Sequence, residues 1–251
     1  MIKFFVDSEN IFEDKIYLDS REDLKHLVKV LRSKVGDRVL ISDKVRWEYT
    51  AEIAEIRDTE AVLRILERHA FEREPETKVT LYQGVPKGQK METIIQKTVE
   101  LGVERIVPVF MSRTVVEDKG NYPKKIARYQ KIADEAVKQC KRDIIPEVSG
   151  SMNFREMAEE LRREKYGLVL VPYENEEGKT IKNALREDTV KKGSRLAIVI
   201  GPEGGFEEEE IRILAEDPDI EARVVSLGKI IMRTETAGMA ALAMTMFELE
   251  L

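Results

Sequence analysis

Two short stretches hold the residues whose types and spacing could do chemistry. In the first, the apolar run Ile198-Val199-Ile200 passes directly into Gly201-Pro202-Glu203-Gly204-Gly205-Phe206. Three glycines and a proline around one glutamate exceed what a plain turn needs, and glycine also lets backbone amides approach a bound molecule closely. The second reads Ser226-Leu227-Gly228-Lys229-Ile230-Ile231-Met232-Arg233-Thr234-Glu235-Thr236-Ala237-Gly238 and leads into a helix of small side chains. An apolar run that stops in a Gly/Pro loop is how an α/β protein opens a ligand crevice, at the carboxyl end of a parallel strand. Two such loops predict one small-molecule site.

Other chemistries lack their residues. Cys140 is the one cysteine and His26 and His69 the two histidines, so neither a disulfide nor a zinc site is expected, and no metal. No Gly-x-Gly-x-x-Gly follows the first strand of the larger region, which argues against a dinucleotide fold. Gly84-Val85-Pro86-Lys87-Gly88-Gln89-Lys90 has the wrong spacing for a phosphate loop. The chain has 251 residues, 36% of them charged, and a net charge of -6. Acidity on this scale argues against non-specific coating of nucleic acid and leaves room for a local basic patch. No apolar run approaches the roughly 20 residues that cross a bilayer, and the first residues lack a signal-peptide core, so the expected location is cytoplasmic with no membrane contact.

The elements that position the two loops fall into two regions. Residues 1–72 read as a small β-rich unit, with strands near 2–6, 16–18, 38–42, 47–56 and 61–67. One helix interrupts them, capped by Ser20 with Asp23 at the capping-box position. That helix and its following turn carry His26, Lys29, Arg32, Lys34 and Arg38, a basic cluster that could equally be a solvated face. The charged, proline-containing stretch at 71–76 predicts a boundary. From Lys78 onward, short apolar strands near 79–83, 105–110, 166–171, 196–200 and 222–225 alternate with helices, the pattern of a parallel sheet covered on both faces. Pro108 predicts an edge or a bulge. The acidic runs at 174–177 and 207–210 read as solvated, the second also favouring a helix start. The final helix, apolar nearly all round, must lie under the sheet, against a second subunit, or both.

Gly-Pro-Glu-Gly-Gly-Phe followed by Leu-Gly-x-x-Ile-Met-Arg-Thr-Glu-Thr-Ala resembles the RsmE-type rRNA uracil-N3 methyltransferases, members of the SPOUT superfamily. Further blocks extend the resemblance over nearly the whole chain: His26 to Arg32, Val35-Gly36-Asp37-Arg38-Val39, Lys87-Gly88-Gln89-Lys90-Met91-Glu92, Arg113-Thr114-Val115-Val116, and Gln139-Cys140-Lys141-Arg142. Departures occur at Lys141, where glycine is frequent, at Ile230, where arginine is frequent, and at Met232, where leucine is usual.

The resemblance implies an α/β fold with a trefoil-knotted parallel sheet at 73–251, preceded by a PUA-like RNA-binding β-barrel at 1–72, and a homodimer that uses the last helix. It implies S-adenosyl-L-methionine (SAM) held mainly by backbone groups at Leu170, Val171, Ile200, Gly201, Glu203, Leu227, Gly228, Ile231 and Met232. The RNA contacts it implies are Lys29, Arg32, Lys87, Lys90, Arg113, Lys138 and Arg142, with Lys141 beside them. The reaction implied is methylation of N3 of a uridine in small-subunit (16S) ribosomal RNA, within the assembled 30S subunit. Arg233 would stabilise the developing anion and Glu235 accept the proton. Two bland readings stand beside these: the pair bonds to itself, or Glu235 caps the last helix. A different RNA target, or a non-catalytic assembly factor, would leave the same motifs.

Overall fold

The structure is a computed structural model that describes residues 1–118, 120, 122–187 and 190–250. The chain divides into two compact units, Met1–Glu74 with Val137–Ile145, and Pro75–Ala136 with Pro146–Leu251.

The first unit is a small barrel-like mixed sheet built from β1 (Lys3–Phe5), β2 (Lys15–Leu18), β3 (Arg38–Ser42), β4 (Trp47–Ile56) and β5 (Ala61–Ala70). The order is β1-β3-β4-β5-β2, with β1 parallel to β3 and the other pairs antiparallel. Alternation along β4 sends Tyr49, Ala51 and Ile53 inward, where they meet Ile16, Leu18, Val39, Ile41 and Leu63. Helix α1 (Arg21–Lys25) starts as the sequence predicts, with the Asp23 amide donating to Ser20 Oγ. It then widens into a π turn over His26–Val30, closed by the Leu31 amide on the His26 carbonyl. The Ser33 amide returns to the Leu27 carbonyl at 3.1 Å and leaves Arg32 at φ 54°, the place glycine usually takes at a helix end.

Residues 137–145 join this unit through buried charge. Glu74 accepts from the Arg142 guanidinium at 2.7 Å and from the amides of Asp143 and Ile144 at 2.7 and 3.0 Å. Burial works to raise the Glu74 carboxyl, but these bonds together hold it below the usual carboxylate range. Lys3 bridges Asp143 and Glu48. Lys141, exposed at φ 63°, ends the preceding helix in the left-handed region, which explains physically why glycine suits that position.

The second unit has a seven-stranded sheet whose every pairing is parallel. In chain order its elements are β6 (Lys78–Gly84), α2 (Lys90–Glu100), β7 (Arg105–Phe110), α3 (Tyr122–Cys140), β8 (Glu147–Val148), β9 (Met152–Asn153), α4 (Phe154–Glu164), β10 (Leu168–Pro172), α5 (Ile181–Glu187), β11 (Arg195–Ile200), α6 (Glu208–Glu216), β12 (Ala222–Val225) and α7 (Thr234–Glu250). The main path is β12-β10-β11-β6-β7-β8, with β9 also on β7. Strands β6, β10 and β11 are buried along nearly their whole length, as a sheet covered on both faces requires.

Pro108 is not on an edge. It lies in β7 opposite Gln83 of β6, and on the other side β8 pairs with Arg105 and Ile106 while β9 pairs with Val109 and Phe110. The proline, with no N–H to give, falls at the break between them. Glu207 and Glu210 form a capping box that starts α6, as carboxylates at that end predict. Glu210 corrects the solvated reading of its acidic run: it is buried and accepts from the Ser112 amide at 3.0 Å and the Glu207 amide at 2.9 Å.

Strand order positions the site. Strand β11 lies on one side of β10, and β12 comes back to the other. The loops after these three strands therefore open at one topological switch point. Helix α7 packs on the sheet with Gly238, Ala241, Leu242 and Thr245 buried, while Met244 and Phe247 face outward.

Candidate functional site

The first loop is built into the body of the unit. Gly201 and Pro202 pass so close to the end of β6 that a Cβ on Gly84 would lie 2.4 Å from the Pro202 nitrogen. The Thr234 hydroxyl donates to the Gly201 carbonyl at 2.6 Å and accepts from Gln83 Nε2 at 2.9 Å, so the start of α7 is fastened to this loop. Arg113 clamps the far end: Nη1 donates to the Gly204 carbonyl at 3.0 Å, and Nε and Nη2 donate to Glu207 at 2.9 and 3.2 Å. Glu203 accepts from the Lys87 amide at 3.0 Å and pairs with Lys90 at 2.9 Å. Burial alone would raise the Glu203 carboxyl, but the Lys90 ammonium and the Lys87 amide hold it below its ordinary range.

A cavity of about 450 Å³ opens over this loop, with Ile200, Gly201, Glu203, Met232 and Arg233 in its wall. A second, of about 610 Å³, lies beside it between the loops after β10 and β12, walled in part by Leu227, Gly228, Ile230 and Ile231. The two share Pro172, Glu174, Ile231, Met232 and Ala237, and so form adjoining chambers of a size that suits a small ligand. Gly205, at φ 68°, has no Cβ where one would lie 2.6 Å from Glu174 Oε1, so the carboxylate nests against bare backbone. Glu176 and Glu177 add to the acidic side of the larger chamber. The Gly178 and Lys179 amides, donating to Glu176 Oε1 at 2.8 and 2.9 Å, hold that carboxyl below its usual range.

The expected cofactor residues fall into two groups. Ile200, Gly201, Glu203, Leu227, Gly228, Ile231 and Met232 line the chambers. Leu170 and Val171 do not: both are buried inside β10, and the chain reaches the cavity at Pro172 and Glu174. Sequence reasoning stops at the end of the apolar run, whereas the strand continues into the proline. It also misses the loop after β10, and Glu174 with it, because an exposed acidic run gives no sign in the chain of the cavity it borders.

Arg233 and Glu235 are near the same mouth and do not pair with each other. Arg233 is exposed, lines the smaller chamber, and has no ion pair among the described residues. Glu235 stands in the first turn of α7 with its Oε2 3.4 Å from Lys90 Nζ; that oxygen is buried and makes no hydrogen bond, so it does not cap the helix. Lys90 thus bridges Glu203 and Glu235, and these carboxylates hold its ammonium above the usual lysine range, Glu203 first.

The expected RNA contacts separate by unit. Lys87 is exposed and Lys90 half-buried at the cavity mouth, in the second unit. Lys29, Arg32 and Lys138 are exposed in the first unit, where the charge of Lys138 acts on Asp23. Arg113 stays exposed while its guanidinium also bonds the first loop at Gly204 and Glu207. Arg142 corrects the expectation: its side chain is 8% exposed in its pair with Glu74. A buried arginine paired with a buried carboxylate is structural, because freeing it would leave an uncompensated charge behind.

Parallel strands with their loops converging on a two-chambered cavity, and a small β-unit beside them in sequence, define a two-unit α/β protein with a small-molecule site. Residues 72–246 match the family described as RNA methyltransferase domain, and residues 18–66 the one described as RNA methyltransferase PUA domain. The chain belongs to this RNA methyltransferase family, the one its loop motifs resemble. It is 32% identical to the ribosomal RNA small subunit methyltransferase E of Bacillus subtilis over 100% of this chain and 98% of that protein. The enzyme of the same name from Neisseria gonorrhoeae, solved bound to S-adenosyl methionine, superposes with a TM-score of 0.82 at 28% identity, over 99% and 98% of the two chains. A Legionella pneumophila methyltransferase solved with bound SAM gives 0.80 at 31% identity, over 98% and 97%.

Proposed function

We propose that this protein methylates N3 of a specific uridine in small-subunit (16S) ribosomal RNA, with SAM as methyl donor. One observation carries the reading: a cavity walled largely by backbone and apolar side chains has a carboxylate, Glu174, in its lining and, at its mouth, Arg233, which has no ion pair among the described residues. The residues present fit SAM. Its sulfonium and ammonium are cations, for which Glu174 is the matching charge, and Ile200, Ile231, Met232 and Ala237 offer surface to its apolar parts. When bound, SAM supplies an electrophilic methyl on a positively charged sulfur.

The chain's own residues must align and expose the nucleophile. The fixed first loop sets the near wall of the chamber. Uracil N3 is protonated and a poor nucleophile, so its proton must leave as the N3–methyl bond forms and the methyl–sulfur bond breaks. Glu235, in the first turn of α7 beside Lys90, takes that proton. Arg233 faces the negative charge that develops on O2 or O4, in a planar fork that suits a carbonyl oxygen. N3 lies on the Watson–Crick edge, so the uridine must be unpaired or turned out of its stack to reach this mouth. Among the described residues, Lys87, Lys29, Arg32 and Lys138 remain exposed to meet RNA backbone.

The same reading includes a homodimer in the cytoplasm, acting on the assembled 30S subunit. Its support is the outer side of α7, where Met244 and Phe247 are uncovered, together with Ile230 and Ile231, each 81% exposed. Among the described residues no helix is long and apolar enough to cross a membrane.

The test is methyl transfer from labelled SAM to small ribosomal subunits, and to naked 16S rRNA, from cells lacking the protein, with the modified nucleoside identified by mass spectrometry. N3-methyluridine is expected. Another methylated nucleoside would move the target, and SAM binding without transfer to either RNA would overturn the enzymatic reading.

A further inference from the structure

The first unit carries a feature that the site above does not use. Trp47, the one tryptophan of the chain, opens β4, and two guanidinium groups rest on its indole. Arg46 Cζ is 4.9 Å and Arg68 Cζ 4.4 Å from the ring centroid. Sheet register explains Arg68. It stands opposite Tyr49, and Trp47 is two residues away on the same face, hence a diagonal neighbour. The charge of Arg68 also acts on Tyr49.

Arg46 is placed by its loop. Asp43 Oδ1 accepts from the amides of Val45, Arg46 and Trp47 at 2.9, 2.7 and 2.8 Å, and the Lys44 amide donates to Ser42 Oγ at 2.9 Å. The Arg46 carbonyl in turn accepts from the Phe71 amide at 2.9 Å. Both cations are therefore held in position before any ligand arrives.

They are also not neutralised. Arg46 and Arg68 are exposed, and among the described residues neither forms an ion pair. Nearby carboxylates are engaged elsewhere: Asp43 with its loop amides, Glu48 with Lys3, and Glu67 with His69 at 3.5 Å. Exposed arginines at 57, 64, 155 and 212 sit on glutamates; Arg46 and Arg68 rest on an aromatic ring instead. An indole fixes a guanidinium without cancelling its charge or covering all its N–H groups. Two such forks gathered at one ring offer planar donors of the kind that suit the non-bridging oxygens of a phosphate.

We propose that Arg46 and Arg68, held on Trp47, form an RNA-backbone site on the first unit, distinct from the Lys29 and Arg32 turn, that takes a phosphate of the substrate RNA. This rests on the reading of the protein as an RNA methyltransferase. It assigns the β3–β4 loop and the end of β5 to substrate capture, at residues that no motif singles out.

The experiment uses the full chain as wild type, as the double variant Arg46→Gln/Arg68→Gln, and as Arg46→Lys/Arg68→Lys. Each is titrated with unmodified 16S rRNA over a series of KCl concentrations, and SAM affinity and thermal melting are measured on the same samples. Removing one phosphate-neutralising cation from a single-stranded RNA complex flattens the slope of log K against log salt by about 0.7. The glutamine variant is expected to bind RNA at least about tenfold more weakly at low salt, with a slope flatter by about 0.7 to 1.4, and with SAM affinity and melting unchanged. The lysine variant keeps the slope. Wild-type RNA affinity and slope in the glutamine variant overturn the site and leave the methyltransferase reading standing. Loss of SAM affinity alongside RNA affinity overturns it too, as a structural effect. A wild-type chain that binds no rRNA sinks both.

Discussion

The two loops that make the cavity are opposites in how they are held. Residues 201–207 are fixed at every step: by β6 beneath Gly201, by Thr234, by Arg113 at Gly204 and Glu207, and by Lys87 and Lys90 at Glu203. Residues 226–233 are fastened mainly at their start, by the Ser226 amide on the Lys179 carbonyl and a local turn at Gly228, and then carry Ile230 and Ile231 into solvent. The first loop is ordered by the fold itself. The second presents apolar surface to solvent at Ile230 and Ile231, which leaves it free to adapt to a ligand or another chain. A fixed wall and an adaptable one are a reasonable division of labour for a site that admits a cofactor and then a base.

That contrast can be broken at several points, the largest effect first. Arg233→Ala removes the charge at the end of the adaptable loop; methyl transfer should fall about 10²- to 10³-fold with SAM affinity retained, as measured by single-turnover assay and calorimetry. A loss of SAM binding equal to the loss in rate would show that Arg233 shapes the chamber instead. Gly84→Ala drives a methyl into the backbone beneath the fixed loop, and overpacking of this kind costs about 1–3 kcal/mol. Chemical denaturation should show the loss, and an unchanged midpoint would mean the first loop is free to move.

Arg113→Ala tests the clamp. Its hydrogen bonds to the Gly204 carbonyl and Glu207 hold the far end of the loop, and solvent at this exposed side chain weakens them. SAM should bind about fivefold more weakly, with RNA affinity affected less; the reverse pattern would restore Arg113 as an RNA contact. Ile230→Ser, on the adaptable loop, should alter the unfolding free energy by no more than about 0.5 kcal/mol while sedimentation shows a weakened dimer.

The smallest effect is in pH. Glu203 has its folded carboxyl held below the unfolded value, so its contribution is fully present above the unfolded carboxylate range and is lost only as pH falls through the lower folded value. The fixed loop should keep its contact with Lys90 at a pH where ordinary exposed carboxylates are already protonated. Carbon-detected NMR titration of Glu203 would check this, and a midpoint at the ordinary value would show the pair to be a weak surface contact.

Part of this is legible in the chain and part is not, for reasons that differ residue by residue. Ile198 to Phe206 announce a crevice because hydrophobic run, glycine and proline are local properties that fix local geometry. The capping residue Ser20 is legible on the same ground, bonded to the amide three residues on. Glu210 reads as solvated in the chain, since a carboxylate is buried or exposed according to what the fold sets against it. Arg113 and Arg142 read there as RNA contacts, because a basic residue in a matching motif has no visible partner until Glu207 and Glu74 are brought to it.

The sequence by itself determined the period of each element, the alternation of strand and helix that demands a parallel sheet, and the glycine loops that must follow β11 and β12. Only the tertiary structure decided that β12 passes back across β10, that the loop after β10 becomes a third wall, and that residues 137–145 fold with the first unit. Each of these rests on contacts between residues far apart along the chain. Such contacts are selected by burial and by charge satisfaction in three dimensions, and neither leaves a periodic trace in one.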